Sequence, residues 1–190
     1  MSIDLDVGPL AGSDDGPFRR FLLAVLEAAN GHLAALGLPP HDEPRGPDND
    51  LATGFKAGLV DVLALDNHLL EEVDGRFPQL FQAAPLALYL PVDFAEVVHL
   101  EVDGEHVALG SAPRLLFECA RVLTLIGADD SDLKVAVERF GAQRLAEPLP
   151  GFPEELPLSE YGEPVGVLGC GQLLWAAGHA VQLNASVYVH

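Results

Sequence analysis

Apolar positions recur at helical spacing near the start of the chain and at strand spacing in its middle. Phe18, Phe21, Leu22, Val25, Leu26, Ala29 and Leu33 follow one another three or four residues apart, while Arg19, Arg20 and Glu27 fall off that line. This is the stripe of an amphipathic helix. Asp14 or Asp15 can cap it, Pro17 suits its first turn, and Gly37 with Pro39 and Pro40 ends it. A second helix is expected from Leu51 to about Val73, capped by Asp50 and carrying Leu51, Phe55, Leu59, Val62, Leu65 and Leu69 on one side.

The period then changes. Leu86, Leu88 and Leu90 alternate with Ala87 and Tyr89, which reads as a strand stopping at Pro91. Glu96 to Val102 and Glu105 to Leu109 flank Asp103-Gly104, a strong local signal for a two-residue hairpin. With that turn, Val102 faces Glu105, Glu101 faces His106, Leu100 faces Val107, His99 faces Ala108 and Val98 faces Leu109. Val98, Leu100, Val107 and Leu109 then share a core face, and His99, Glu101 and His106 share the other. A one-residue slip would exchange the two faces.

Ser111 can cap the next helix, with Pro113 at its start, Leu115, Leu116, Cys119, Val122, Leu123 and Ile126 inward, and Gly127 at its end. A further helix is expected from Asp129–Asp132 to about Gly141. Between Glu147 and Pro164 five prolines exclude a regular helix and favour an extended segment. A glycine-rich helix around Gln172 to Leu183 and a strand from Ala185 to Val189 complete the chain. The expected fold is α+β: one globular domain over residues 1–190, predominantly helical, with a small antiparallel sheet built on the hairpin 96–110 and packed on helices. Residues 1–16, acidic and glycine-rich, read as a flexible arm, and 147–164 as an extended wrapping segment.

Charge alters this picture most. The 190 residues include 29 acidic against 10 basic side chains, a formal net charge of −19. Such a field disfavours nucleic acid and anionic membranes, since phosphate contacts need Lys or Arg, and favours encounter with a basic protein. A hydrophobic fraction of 49% is that of a folded chain rather than a disordered one. No apolar run reaches the length of a membrane span, and the acidic first residues do not resemble a signal peptide. Two cysteines, Cys119 and Cys170, make no disulfide framework. These features point to a soluble cytoplasmic protein.

Candidate chemistry is sparse. The acids of His41–Asp50 miss the calcium-loop pattern: counted from Asp48, position six is Thr53 and position twelve is Leu59. That stretch reads as a polar turn and helix cap. Cys170 between Gly169 and Gly171 could be a nucleophile, but His179 would lie about 13 Å along the same helix from it. Small-residue packing is the better account. His99, Glu101 and His106, two imidazoles and a carboxylate on one hairpin face, form the one cluster suited to zinc or another divalent metal. No Gly-x-Ser-x-Gly, phosphate loop, Gly-x-Gly-x-x-Gly or His-Glu-x-x-His is present. The sequence therefore favours a non-catalytic protein-binding module without a cofactor, an immunity-like or regulator-like partner of a basic protein. The alternative is a small metal-dependent hydrolase using His99, Glu101 and His106.

Overall fold

The computed structural model describes residues 2–12, 16–44, 53–58, 77–80, 86–125 and 165–190. In chain order these form β1 (Ser2–Val7), α1 (Pro9–Gly12), α2 (Pro17–Ala35), β2 (Thr53–Gly58), β3 (Leu86–Leu90), β4 (Val98–Val102), β5 (Glu105–Ser111), α3 (Ala112–Leu125), α4 (Val165–Leu183) and β6 (Val187–Val189). The strands make one six-stranded sheet in the order β2-β1-β6-β3-β5-β4.

The sheet is larger than expected, and it is mixed. β3 and β5 run parallel, whereas the other neighbouring pairs are antiparallel. The class is α+β, but its centre is a sheet rather than a group of helices carrying a hairpin. Two strands account for most of the difference. Ser2–Val7, read from sequence as part of a loose arm, is β1, paired on both sides by β2 and β6. Leu5 and Val7 are buried while Asp6 is half-exposed, the alternation of a strand with one face in the core. Thr53–Gly58, expected within a helix, is instead β2, in register with β1 from Ser2↔Gly58 to Val7↔Thr53. The remainder of the expected helix (51–52 and 59–73), the expected helix after Asp129, and the proline-rich segment 147–164 lie outside the described residues.

Helices cover both faces of the sheet. On one side α2 packs its buried stripe, Leu22, Val25, Leu26, Ala29 and Leu33, against Leu88, Leu90, Val107, Leu109 and Tyr188. On the other, α3 and α4 pack Leu115, Cys119, Cys170, Leu174, Trp175 and Ala177 against Leu5, Val7, Ala87, Tyr89, Ala108 and Val187. Both cysteines are buried free thiols, and the Cys170 thiol donates to the carbonyl of Cys119 at 3.4 Å. Cys170 lies within α4 and is fully buried against α3, the setting of a packing residue.

The helix ends follow local chemistry. Gly16, not an aspartate, occupies the N-cap of α2 without a side-chain bond, and Pro17 follows it. At the other end Gly37 has φ +72°, and the Leu38 and Gly37 amides donate to Leu33 and Ala34. This double bond pattern closes the last turn and calls for a residue without a Cβ. Ser111 caps α3 as expected, its hydroxyl accepting from the Arg114 amide at 3.4 Å. Asn184 (φ +49°) turns the chain from α4 into β6.

Gly110 is required by space rather than by backbone angle. A Cβ there would lie 2.6 Å from the Gln79 side-chain oxygen and 2.6 Å from the Tyr89 ring. Both neighbours are fixed by hydrogen bonds, so neither can yield. Gly110→Ala is expected to cost about 2 kcal/mol through overpacking, read as a lower urea midpoint at unchanged slope. A wild-type midpoint would show that the Gln79 amide swings aside.

Candidate protein-docking surface

The hairpin and the loop before it gather the exposed acids of the described sheet. Asp103 (φ +52°) and Gly104 (φ +83°) form the turn, both in the left-handed region that a two-residue I′ turn demands. The register is the one expected: Val98↔Leu109, His99↔Ala108, Leu100↔Val107, Glu101↔His106 and Val102↔Glu105. Val107 and Leu109 are buried and Val98 and Leu100 half-buried on the α2 side, whereas His99, Glu101 and His106 are exposed.

Asp93, Glu96, Glu101, Asp103 and Glu105 are all exposed within thirteen residues of chain. Arg114 donates from Nε to Asp93 at 2.7 Å. This pair is exposed on both sides and worth at most about 1 kcal/mol. Among the described residues no ion pair engages Glu96, Glu101, Asp103 or Glu105. The surface is therefore a negative rim with one of its carboxylates partly neutralised.

A buried network fixes the loop that carries Asp93 and Glu96. Gln79 is fully buried in the turn 77–80. Its side-chain oxygen accepts from the Ser111 amide at 2.8 Å, and its amide nitrogen donates to the Ala95 carbonyl at 3.3 Å. Its backbone carbonyl accepts from the Tyr89 hydroxyl at 2.6 Å. The backbone amides of Gln79 and Leu80 both donate to Glu118 Oε2 on α3, each at 2.9 Å. One turn thus ties β3, β5, α3 and the loop 91–97 together. Burial pushes the Glu118 carboxyl up to about 7, against the opposing pull of the two amides and Arg114.

The negative field extends along the α2 side of the sheet. Phe18, Tyr188 and His190 form an aromatic group with centroids 5.1–5.7 Å apart. His190 Nε2 lies 3.0 Å from Asp6 Oδ2. The Tyr188 hydroxyl is pushed up to about 12, first by burial and then by the charges of Glu105 and Asp6. The hairpin tip and β1 thus act on the same side chain.

His99, Glu101 and His106 do share a face, but the described residues contain no group of three His, Cys, Asp or Glu side chains placed to hold a metal ion. The physical reason is the setting. β4 is the last strand of the sheet, the three side chains are exposed on it, and no further described side chain completes a set of ligands there.

A second polar site, unmarked by any motif in the chain, lies buried between α2 and β6. His41 Nε2 lies 2.6 Å from Glu43 Oε2, and each side chain is only 1% exposed. The Ser186 amide donates to the same oxygen at 2.9 Å. Asn30 on α2 holds the His41 backbone at both ends, accepting from its amide at 2.7 Å and donating to its carbonyl at 3.0 Å. Part of the stretch read as a polar turn and helix cap is therefore inside the protein.

No described helix is long and apolar enough to cross a membrane. No curated protein and no solved structure gives a significant match. Residues 85–188, from just before β3 into β6 and more than half of the chain, match the family model described as "Putative DNA-mimic protein". The acidic hairpin, its supporting turn on α3 and the central strands all lie within or against that matched span, and the chain belongs to this DNA-mimic family.

Proposed function

We propose that this is a non-catalytic docking protein whose acidic surface takes the place of nucleic acid on a basic DNA-binding protein. The observation that carries the reading is the rim formed by Glu96, Glu101, Asp103 and Glu105, exposed and without ion-pair partners among the described residues. A DNA-binding groove is lined with Lys and Arg placed for phosphates. A rigid set of carboxylates can engage such a groove by charge while offering no base edges to read. The net charge of −19 adds long-range attraction and speeds encounter. The family described as DNA-mimic supports the same reading. A cytoplasmic setting is part of this proposal, and the two free thiols, Cys119 and Cys170, are consistent with it.

The test is competition. The immobilised protein is expected to retain DNA-binding proteins from the source cell at low salt, and duplex DNA should displace them. Retention should fall steeply with added salt, because exposed charges are screened within about 8 Å at physiological ionic strength. The combined variant Glu96→Gln, Glu101→Gln, Asp103→Asn, Glu105→Gln should retain far less. Asn at 103 preserves the left-handed turn, so the loss reports charge and not unfolding. Retention indifferent to duplex DNA would sink the reading.

A further inference from the structure

We propose that the outer edge of β4, unpaired among the described residues, takes up an extended, Lys/Arg-rich segment of the partner as an added strand. This rests on the docking function above and gives it a geometry. β4 ends the sheet, and no described strand pairs with it other than β5. In a two-residue hairpin the pair flanking the turn, Val102 and Glu105, exchanges both of its backbone bonds. The alternation that follows uses Leu100 and Val98 for β5 and turns the amide and carbonyl groups of His99 and Glu101 outward. These two residues are exposed. The edge thus offers a row of backbone donors and acceptors, the requirement for strand addition.

The side chains along the edge select the occupant. Glu101 and the neighbouring Glu96, Asp103 and Glu105 present negative charge, and Val98 and Leu100 leave half-buried apolar surface on the α2 side. An added strand alternating basic and apolar residues would set its cations beside Glu101 and its apolar groups beside Val98 and Leu100. A second copy of this chain fits less well, since each copy carries a formal charge of −19. Arms and tails of DNA-binding proteins, which are extended and basic, have the matching chemistry.

The probe is a seven-residue peptide alternating Lys and Val, compared with the same peptide methylated at every backbone nitrogen. The charges are equal, but only the first can pair with a strand. The full-length protein is expected to bind the unmethylated peptide about tenfold more tightly, the size of losing two backbone hydrogen bonds. Hydrogen exchange at the amides of His99 and Glu101 should slow only with that peptide. His99→Pro removes an outward amide and no bond to β5, so it should abolish the difference while leaving every carboxylate in place. If that variant does not fold, the exchange comparison on the wild-type protein decides alone. Equal affinities without slowed exchange would overturn strand addition and leave the charge-based function standing. Failure of both peptides to bind at low salt would overturn both. A wild-type dimer with these two amides already protected would show the edge occupied by a second copy and overturn the proposal.

Discussion

Glu43→Ala is expected to destabilise the protein by about 3–5 kcal/mol, the largest effect of any single substitution considered. Glu43 Oε2 is the common acceptor of the His41 ring and the Ser186 amide, at 2.6 and 2.9 Å, in a site closed to water. Truncation leaves a buried ring nitrogen and a buried backbone amide without partners. Each such group costs about 1–3 kcal/mol, and the cavity adds to this. Glu43 Oε1, by contrast, is buried with no hydrogen-bond partner, so the site is already under-satisfied. Glu43→Gln keeps an oxygen for Ser186 and should cost less than half as much as the alanine variant. Urea titrations followed by circular dichroism compare the two; equal losses would show that the carboxylate's bonds do not carry the effect.

The consequence is geometric as well as energetic. Ser186 immediately precedes β6, whose residues Val187–Val189 pair with both β1 and β3. The Gly8 amide also bonds to the Ser186 carbonyl, at 2.9 Å. The His41–Glu43 unit therefore holds the point where the C-terminal strand enters the middle of the sheet, and joins it through Asn30 to α2. The opposite end of the sheet is held by Gln79 and Glu118. Two buried polar sites, one near β6 and one near β5, fix the frame on which the acidic hairpin stands.

Only part of this frame was legible in the sequence. The hairpin was, because two independent local rules agree there: Asp-Gly demands a two-residue turn, and strict alternation assigns the faces. The α2 stripe and the Ser111 cap were legible for the same reason, each being set by residues within a few positions. β1 was not, because acids at alternate positions and the Gly8-Pro9 pair resemble an unstructured arm. β2 was not, because Phe55 and Leu59 also fit a helical stripe; its partner lies about fifty residues away, and the pairing leaves no local mark. The parallel pairing of β3 with β5 is likewise non-local. Its trace is that Val107–Ser111 is buried throughout while Val98–Val102 alternates, the difference between a central and an edge strand. The acidic character of the chain was legible from composition, but which of the described acids gather at the hairpin required the fold.

These distinctions bear on function. A protein that replaces nucleic acid needs its carboxylates held in place, since mobile charges lose entropy on binding. The rim meets this need through the I′ turn at Asp103-Gly104 and through Gln79, which fixes the preceding loop at Ala95. The exposed carboxylates are thus held in place by polar bonds that are themselves buried. Gln79→Ala or Glu118→Ala, which remove these bonds outright, should weaken the proposed docking by loosening the loop, read as lower retention in the competition assay.

Glu118 should also give the fold a distinctive pH dependence. Its carboxyl titrates near 4.5 in the unfolded chain and at about 7 when folded, because it is buried at 7% exposure between α3 and the turn 77–80. Between these values the folded state holds a proton that the unfolded state has released. Stability from this group is therefore complete below pH 4.5 and is lost as pH rises through 7, a change of up to about 3 kcal/mol. Repulsion among the other acids also weakens the fold as pH rises, so the parent protein alone cannot isolate the effect. The difference between parent and Glu118→Gln can. Glutamine retains an oxygen for the Gln79 and Leu80 amides but cannot ionise, so the variant should match the parent near pH 4.5 and exceed its stability by up to about 3 kcal/mol at pH 8. Parallel stability curves across that range would show that the carboxylate ionises without penalty, with the two amides and Arg114 compensating its burial in full. A variant less stable at every pH would instead mean that the amide's own hydrogens find no place in the site. The expected crossing from equality to advantage, read from urea midpoints at several pH values, separates these cases because only a proton released on unfolding makes the gap grow between pH 4.5 and 7.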